Sequence, residues 1–512
     1  MKRWLLVLLA VTLAALACNG SQEAVLVITA TFLPPTDAAA PFSNPATTAP
    51  ADVTAATTFP DPTAEETAGY VVQPGDTLTA IALAHDTTVE TLLGLNVLLN
   101  PDQLVVGQVL QIPARPTRVG PSDPLLPNGL FVRGPQSGGF DAATYAQGQP
   151  GWLRDFREEV DGVEMAGSAI VERVSRDFGI DARVLLALVE YRSQALSAVQ
   201  ASAEAEVYPV FQPVSVSDIG RTGLYRQLNW AADRLNGGYY GRKYRGLDLL
   251  ELTDGARLLM HEDVQAGTAA LQSMFSKMLP DADWMRAVSP AGYVATYTAL
   301  FSDPLAAPPP DPLASITPQP PLELPFGAGQ VWYYTGGPHG GWGTGSAWAA
   351  IDFAPPDDPA TVDDSCYVSG YFVTAAADGV VAQSGDGVIV LDLDGDGDET
   401  TGWTVFYLHM ATRDRAPLGA QLQAGDPVGR ASCEGGVSNG THVHVARRYN
   451  GEWLPASCVE CSGTQAIPAS FVLGGWEVVD LPGQEYQGYL VNGDELRVAE
   501  AARGVAPNEV SS

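Results

Sequence analysis

The stretch SNGTHVHVARR, Ser438 to Arg448, reads as an extended chain with two histidines one residue apart. Alternate residues of a strand point to one face, so His442 and His444 should project side by side. That arrangement is costly in an otherwise apolar strand unless something binds or uses the imidazoles. The segments before it share the pattern. VWYYTGG, YFVTAAADGVVAQSGDGVIVLDL, TVFYLHM and QLQAGDPVGRAS alternate short β-prone runs with glycine turns. Together they predict a mainly antiparallel β domain over residues 326–480.

Four of the chain's six histidines fall in this domain: His339, His409, His442 and His444. Asp352 stands among apolar residues in AAIDFAPP, where a carboxylate must be either a ligand or an expensive buried charge. Neutral imidazoles with an aspartate form the usual donor set for Zn2+ in a site that keeps one position open for water.

HGGWGTGSAWAAID, YLH and HVH, in that order, resemble the lysostaphin/LytM-type zinc endopeptidases. The spacing from His339 to Asp352 is closest to the beta-lytic, LasA-like branch. The resemblance implies that His339, Asp352 and His444 bind zinc and that His409 and His442 are catalytic. One of these two would handle the water proton, the other the oxyanion or the leaving amine, in an order the sequence leaves open. The glycines from Gly340 to Gly345 would leave room for a slender substrate. The family's substrates imply peptide bonds involving Gly or D-Ala in peptidoglycan. A domain of this type can instead be a metal-free regulator of other hydrolases, but such proteins lose ligands, and here every position is filled. A wall-anchoring adhesin would require the β domain to be inert.

Within the same domain, Asp392, Asp394, Asp396 and Gly397 of DLDGDGDET match early positions of a Ca2+ loop. Trp403 stands where the closing glutamate is wanted, so an acidic hairpin tip without metal is the competing reading.

At 512 residues the chain is too long for one core and predicts a multidomain protein. A net charge of −32 argues against nucleic acid as a partner. MKRW followed by a short apolar run ending in Leu16-Ala17-Cys18 resembles a lipoprotein signal over residues 1–18. It implies lipidation at Cys18 and a membrane anchor on the outer side of the cytoplasmic membrane; ordinary secretion is the alternative. In an exported chain Cys366, Cys433, Cys458 and Cys461 are expected as disulfides, paired Cys366 with Cys433 and Cys458 with Cys461. Residues 19–68, rich in Ala, Thr and Pro, should form a disordered tether. The protein is expected to act as a monomer.

Residues 69–113 carry PGDTL, LLGLN and VVGQVLQIP and resemble the LysM module. The resemblance implies a small βααβ fold that binds peptidoglycan glycan, with Gly75, Asp76, Thr77, Asn96 and Asn100 around its groove. A linker is expected over 114–150. Residues 151–304 hold amphipathic helices, and FGIDARVLLALVEYRS resembles the start of a lysozyme-like domain. Arg192 occupies the position of that family's glutamate and cannot protonate a glycosidic oxygen. An inactive lysozyme-like domain is therefore expected, with a plain helical spacer as the alternative. A Pro-rich linker at 305–325 leads into the β domain, and 481–512 reads as a tail ending in disorder.

Overall fold

The computed structural model describes residues 67–511 apart from 86, 99, 101–103, 358–364, 460, 462, 464–468 and 504–505. The signal peptide with Cys18, and the tether up to residue 66, lie outside the described residues. The sequence begins its described part with β1 (Thr67–Val71), α1 (Leu78–Ala84), α2 (Val89–Leu95) and β2 (Val109–Pro113), the strands pairing antiparallel. Leu78, Ile81, Leu92, Leu110 and Ile112 bury one small core between them. Among the described residues no helix is long and apolar enough to cross a membrane.

The stretch read as a linker at 114–150 is folded. It holds α3 (Asn128–Phe131) and α4 (Ala142–Gln147), and Leu125, Leu126 and Phe131 are fully buried. Its apolar residues are too scattered for a periodic signal and are buried by helices distant in sequence. A hairpin, β3 (Arg157–Val160) and β4 (Val163–Ala166), leads into α5 (Gly167–Phe178), α6 (Ala182–Ser193), α7 (Ala203–Val207) and the long α8 (Leu224–Tyr244). After the hairpin of β5 (Leu249–Glu251) and β6 (Arg257–Leu259) come α9 (Ala266–Ser276), α10 (Asp281–Ala287) and α11 (Tyr293–Phe301). The chain from 305 to 325 is more than a spacer, since Leu313, Leu322 and Leu324 are buried and Asp311 pairs with Lys243.

The β domain begins with β7 (Val331–His339), β8 (Ala350–Ala354), β9 (Phe372–Thr374), β10 (Gly379–Gly385), β11 (Val388–Asp392) and β12 (Trp403–Leu408). It continues with β13 (Gln421–Leu422), β14 (Pro427–Arg430), β15 (Val443–Tyr449) and β16 (Glu452–Trp453). The last strands are β17 (Val472–Leu473), β18 (Trp476–Leu481), β19 (Gln484–Asn492), β20 (Glu495–Val498) and β21 (Glu509–Ser511). The main antiparallel sheet runs β13-β10-β11-β12-β15-β8-β7-β21, with β16 on β15. The segment 481–512 is therefore not a tail. It supplies most of a second sheet, β17-β18-β19-β20, and an edge strand whose Val510 is fully buried beside Trp332. A final strand of this length has too few residues to announce itself before it pairs.

Alternation divides the main sheet into two faces. Ile351, Phe353, Val405, Tyr407, Val443 and Val445 pack into a core of the β domain's own. Ala350, Val388, Val390, Phe406 and Ala446 face the other way, into the core that contains α3 to α11. The helices and the sheet thus share one apolar interior. At its centre Lys243 of α8 meets Glu452 of β16 at 2.7 Å with both side chains fully buried. Tyr239 and Tyr244 donate their hydroxyls to the same carboxylate at 3.2 and 3.0 Å.

Lys243→Met would leave Glu452 charged, buried and without its cation, and is expected to cost ~3–5 kcal/mol in urea denaturation. Asp177 in α5 offers a test through pH. Burial pushes its carboxyl up to about 6 against the opposing charges of Arg176 and Arg173. Between the unfolded value near ~4 and the folded value the native state holds the extra proton, so stability falls as pH rises through that window. Asp177→Asn should accordingly stabilise by ~1–3 kcal/mol at neutral pH, with the gain vanishing below pH ~4.

Candidate metal centre

The register of β15 on β8 pairs His444 directly with Asp352, and the register of β7 on β8 pairs His339 with Ala350. The three ligand-type side chains therefore rise from neighbouring strands on the face that the helices cover. His339 Nε2 lies 3.0 Å from His444 Nδ1, and Asp352 Oδ1 lies 3.3 and 3.4 Å from these two nitrogens. His442, just before β15, turns its Nε2 to 3.6 Å from the same oxygen. His409 follows β12 with a positive φ of 63°, which swings its ring to a centroid distance of 4.5 Å from His442. The five residues singled out by the sequence are brought together.

The outward nitrogens of these rings are held by backbone carbonyls. His339 Nδ1 lies 2.8 Å from Gly337 O, and His444 Nε2 lies 3.0 Å from Gly341 O. With those nitrogens protonated, the inward nitrogens are left with free lone pairs, as metal ligation requires. The second pair follows the same rule: His409 Nδ1 faces Glu434 O at 3.1 Å, and His442 Nδ1 faces Gly440 O at 2.7 Å.

Asp352 Oδ1 is buried with no hydrogen-bond partner among the described residues. A buried carboxylate oxygen facing imidazole lone pairs is an expensive arrangement unless a cation lies between them. The donor set of two imidazoles and one carboxylate fits zinc. Burial opposes ionisation of Asp352, but the His339 and His442 charges hold it well below the usual carboxylate range. Burial likewise opposes the protonated form of His339, and Asp352 outweighs it and raises that pKa. His409 is pushed down to about 3 by burial and then by His442 and His444. Gly336 is the backbone condition for this centre, since a Cβ there would stand 2.5 Å from Asp352 Oδ2.

The glycine-rich loop, expected to leave room for substrate, also meets the helical domain. It is packed against α8, where Asp233 accepts from Thr344 N, Thr344 Oγ1 and Gly345 N at 2.7, 2.9 and 2.8 Å. A Cβ at Gly345 would meet Asp233 O at 1.9 Å and one at Gly343 would meet Asp233 Oδ1 at 2.5 Å, so these two glycines serve close approach to the helix. Trp342 points its ring toward Phe178 and Phe406.

One neighbour of the site was not legible in the sequence. Tyr486, near the start of β19, has a φ of 67° and stacks on the His339 ring at 4.4 Å. The adjacent Glu485 accepts from Gly340 N at 3.3 Å. Both lie in the stretch read as a motif-free tail, and only the pairing of β18 with β19 brings them to the site.

The remaining expected sites separate by what their atoms do. Asp392, Asp394 and Asp396 gather their carboxylates within 4.8 Å of one another. The buried Asp392 already accepts from Asp394 N and Gly397 N, which accounts for the turn without an ion. Cys366 bonds to Cys433, beside His409 and His442, and Cys458 bonds to Cys461. In the N-terminal module Gly75 takes a φ of 93°. Asp76 accepts from Tyr70 OH and Gln73 N, Thr77 accepts from Ala80 N, and Asn96 pairs with the backbone of Gln111. Asn100 is exposed. In the helical domain Glu190 is consumed in accepting from Leu196 N, Ser197 N and Ser197 Oγ, while Arg192 Nε donates to Val210 O.

Residues 70–113 match the LysM domain family, and residues 124–314 match the family described as LasA, N-terminal domain. The second match takes in the whole of the segment read as lysozyme-like and parts of both stretches read as linkers. No curated protein matches. Among solved structures the chain is similar to the M23 metalloprotease pseudoalterin from the deep sea, at 22% identity and a TM-score of 0.27, covering 36% of this chain and 96% of that one. It is also similar to the catalytic domain of lysostaphin from Staphylococcus simulans, at 21% identity and a TM-score of 0.17, covering 24% and 81%. A further likeness is to the catalytic domain of the prophage-encoded M23 protein EnpA from Enterococcus faecalis, at 24% identity and a TM-score of 0.19, covering 26% and 94%. The chain thus carries a LysM domain, then a helical LasA-type N-terminal domain, then a C-terminal antiparallel β domain.

Gly336→Ala is expected to displace Asp352 and weaken zinc retention by about tenfold or more, an effect of the size seen when a ligand's support is disturbed. Metal content after dialysis against a graded chelator measures it, with an unchanged far-ultraviolet spectrum reporting that the sheet persists.

Proposed function

We propose that this protein is a zinc metalloendopeptidase of the cell envelope that hydrolyses peptide bonds in peptidoglycan. His339, Asp352 and His444 would hold the metal, and the observation that carries the reading is the orphaned, buried Asp352 Oδ1 facing imidazole nitrogens. When bound, zinc supplies a Lewis acid that polarises the scissile carbonyl and lowers the pKa of water.

The chain's own residues handle the protons. His409 and His442 keep Nδ1–H on backbone carbonyls, so each offers Nε2 as an acceptor. The low pKa of His409 keeps it neutral at physiological pH, as a base must be. Whichever ring takes the proton can return it to the leaving amine, and its neighbour orients the other oxygen. No HExxH helix is present in the sequence, so this work falls to the histidine pair.

The LysM domain supports delivery to peptidoglycan glycan, and the leader with Cys18 supports a lipid-anchored position outside the cytoplasmic membrane. In this reading the LysM module holds the chain to the glycan while the β domain works on the peptides. The regulatory alternative gains nothing from the site, because no ligand position is lost.

The test is digestion of purified peptidoglycan by the zinc-loaded chain, with mass spectrometry of released fragments and a His444→Ala control. New peptide termini absent from the control are expected, and removal of zinc by chelation should abolish them. Intact peptides with zinc bound would overturn the enzymatic reading. His442→Ala should lower the rate by ~10²–10⁴-fold while zinc content is retained, as for loss of a proton-transfer group.

A further inference from the structure

A cleft of about 390 Å³ opens between the end of α8 and the β domain. Its walls are largely aromatic and apolar, from Tyr240, Tyr244, Trp348, Pro455 and Pro482. The tyrosine hydroxyls are already engaged: Tyr240 accepts from Trp453 N, and Tyr244 donates to Glu452. Asp480 also lines the cleft, but its Oδ1 accepts from Ser457 Oγ at 2.8 Å and Val459 N at 2.9 Å.

Two donors remain. Arg245, which follows the last turn of α8, stands 5.3 Å over the Trp348 ring and makes no side-chain hydrogen bond or ion pair among the described residues. The Trp348 indole N–H likewise finds no acceptor among them. The charge of Glu485 acts on Arg245, but that carboxylate accepts from Gly340 N and forms no ion pair with the guanidinium among the described residues. The cleft is also close to the chemistry along the chain. Pro482 and Gly483 line it, and Glu485 and Tyr486 of the same hairpin contact Gly340 and His339.

We propose that this cleft binds the free carboxylate of a peptide, with Arg245 and Trp348 as its donors and the aromatic walls taking a small apolar side chain. A planar guanidinium backed by an aromatic face is suited to a carboxylate, which it meets with paired charge-assisted hydrogen bonds. The occupant is a carboxylate-terminated segment of the substrate lying away from the scissile bond. Naming that segment as substrate rests on the endopeptidase reading; the binding itself does not. The helical domain would then contribute a recognition residue to a site whose chemistry belongs to the β domain.

The probe is N-acetyl-D-alanyl-D-alanine beside its C-terminal amide, titrated into the full chain carrying fluorotryptophan. The Trp348 signal is assigned with Trp348→Phe. The free acid should shift that signal to saturation, the amide should bind about tenfold more weakly or less, and Arg245→Gln should remove the difference. Equal binding of acid and amide, or an unchanged preference in Arg245→Gln, would overturn the proposal. Cleavage is read separately on peptides ending in either group. If the acid selectively shifts Trp348 but the zinc-loaded chain cuts no peptide, the cleft stands and the endopeptidase reading falls. If peptides are cut while neither probe shifts Trp348, the reverse holds.

Discussion

The alignment of β15 on β8, with His444 opposite Asp352, is the constraint on which the site depends. Antiparallel pairing fixes it residue by residue, and a slip of one position would send the histidine to the far face of the sheet. That face is filled by Val443, Val445, Ile351 and Phe353, all fully buried, so the slip would also bury imidazole and carboxylate in an apolar core. The hydrophobic pattern that stabilises the sheet therefore also sets the geometry of the donors. His409 is added by a different device, a left-handed residue immediately after β12.

The second organising contact is between α8 and the sheet. One helix supplies Asp233 to the loop after β7 and Lys243 to the buried carboxylate of Glu452, and the residue that follows it, Arg245, reaches the cleft beside the hairpin of β18 and β19. The paired charges of Lys243 and Glu452 are no proof of net stability, since desolvation offsets much of their attraction. They do make the fit of helix on sheet specific, because neither partner tolerates being left alone. The helical domain and the β domain are on this account one interior, and the loops at the metal centre are shaped by both.

The acidic loop and the LysM turn illustrate how a motif and its hydrogen bonds can diverge. Asp392, Asp76, Thr77 and Asn96 are each occupied by neighbouring backbone amides or hydroxyls, which is what such residues do in turns and caps. Glu190 shows the same economy at the end of α6, where it closes the turn that follows the helix. A residue type at the expected spacing identifies a candidate; its partners decide what it is free to do.

The sequence by itself determined the order of the domains, the β character of residues 326–480, and the five residues that gather at the candidate site. These were legible because strand alternation and ligand chemistry act over a few residues and leave local signatures in HVH, YLH and AAID. Tertiary structure alone decided the rest. It folded the supposed linker at 114–150 into the helical core, turned the supposed tail at 481–512 into sheet, and brought Tyr486 onto His339. It also gave two glycines of the Gly340–Gly345 loop, Gly343 and Gly345, a close approach to α8 that the sequence did not show. Each of these depends on contacts between residues far apart in the chain, where burial is decided by what packs on a segment and not by the segment's own pattern.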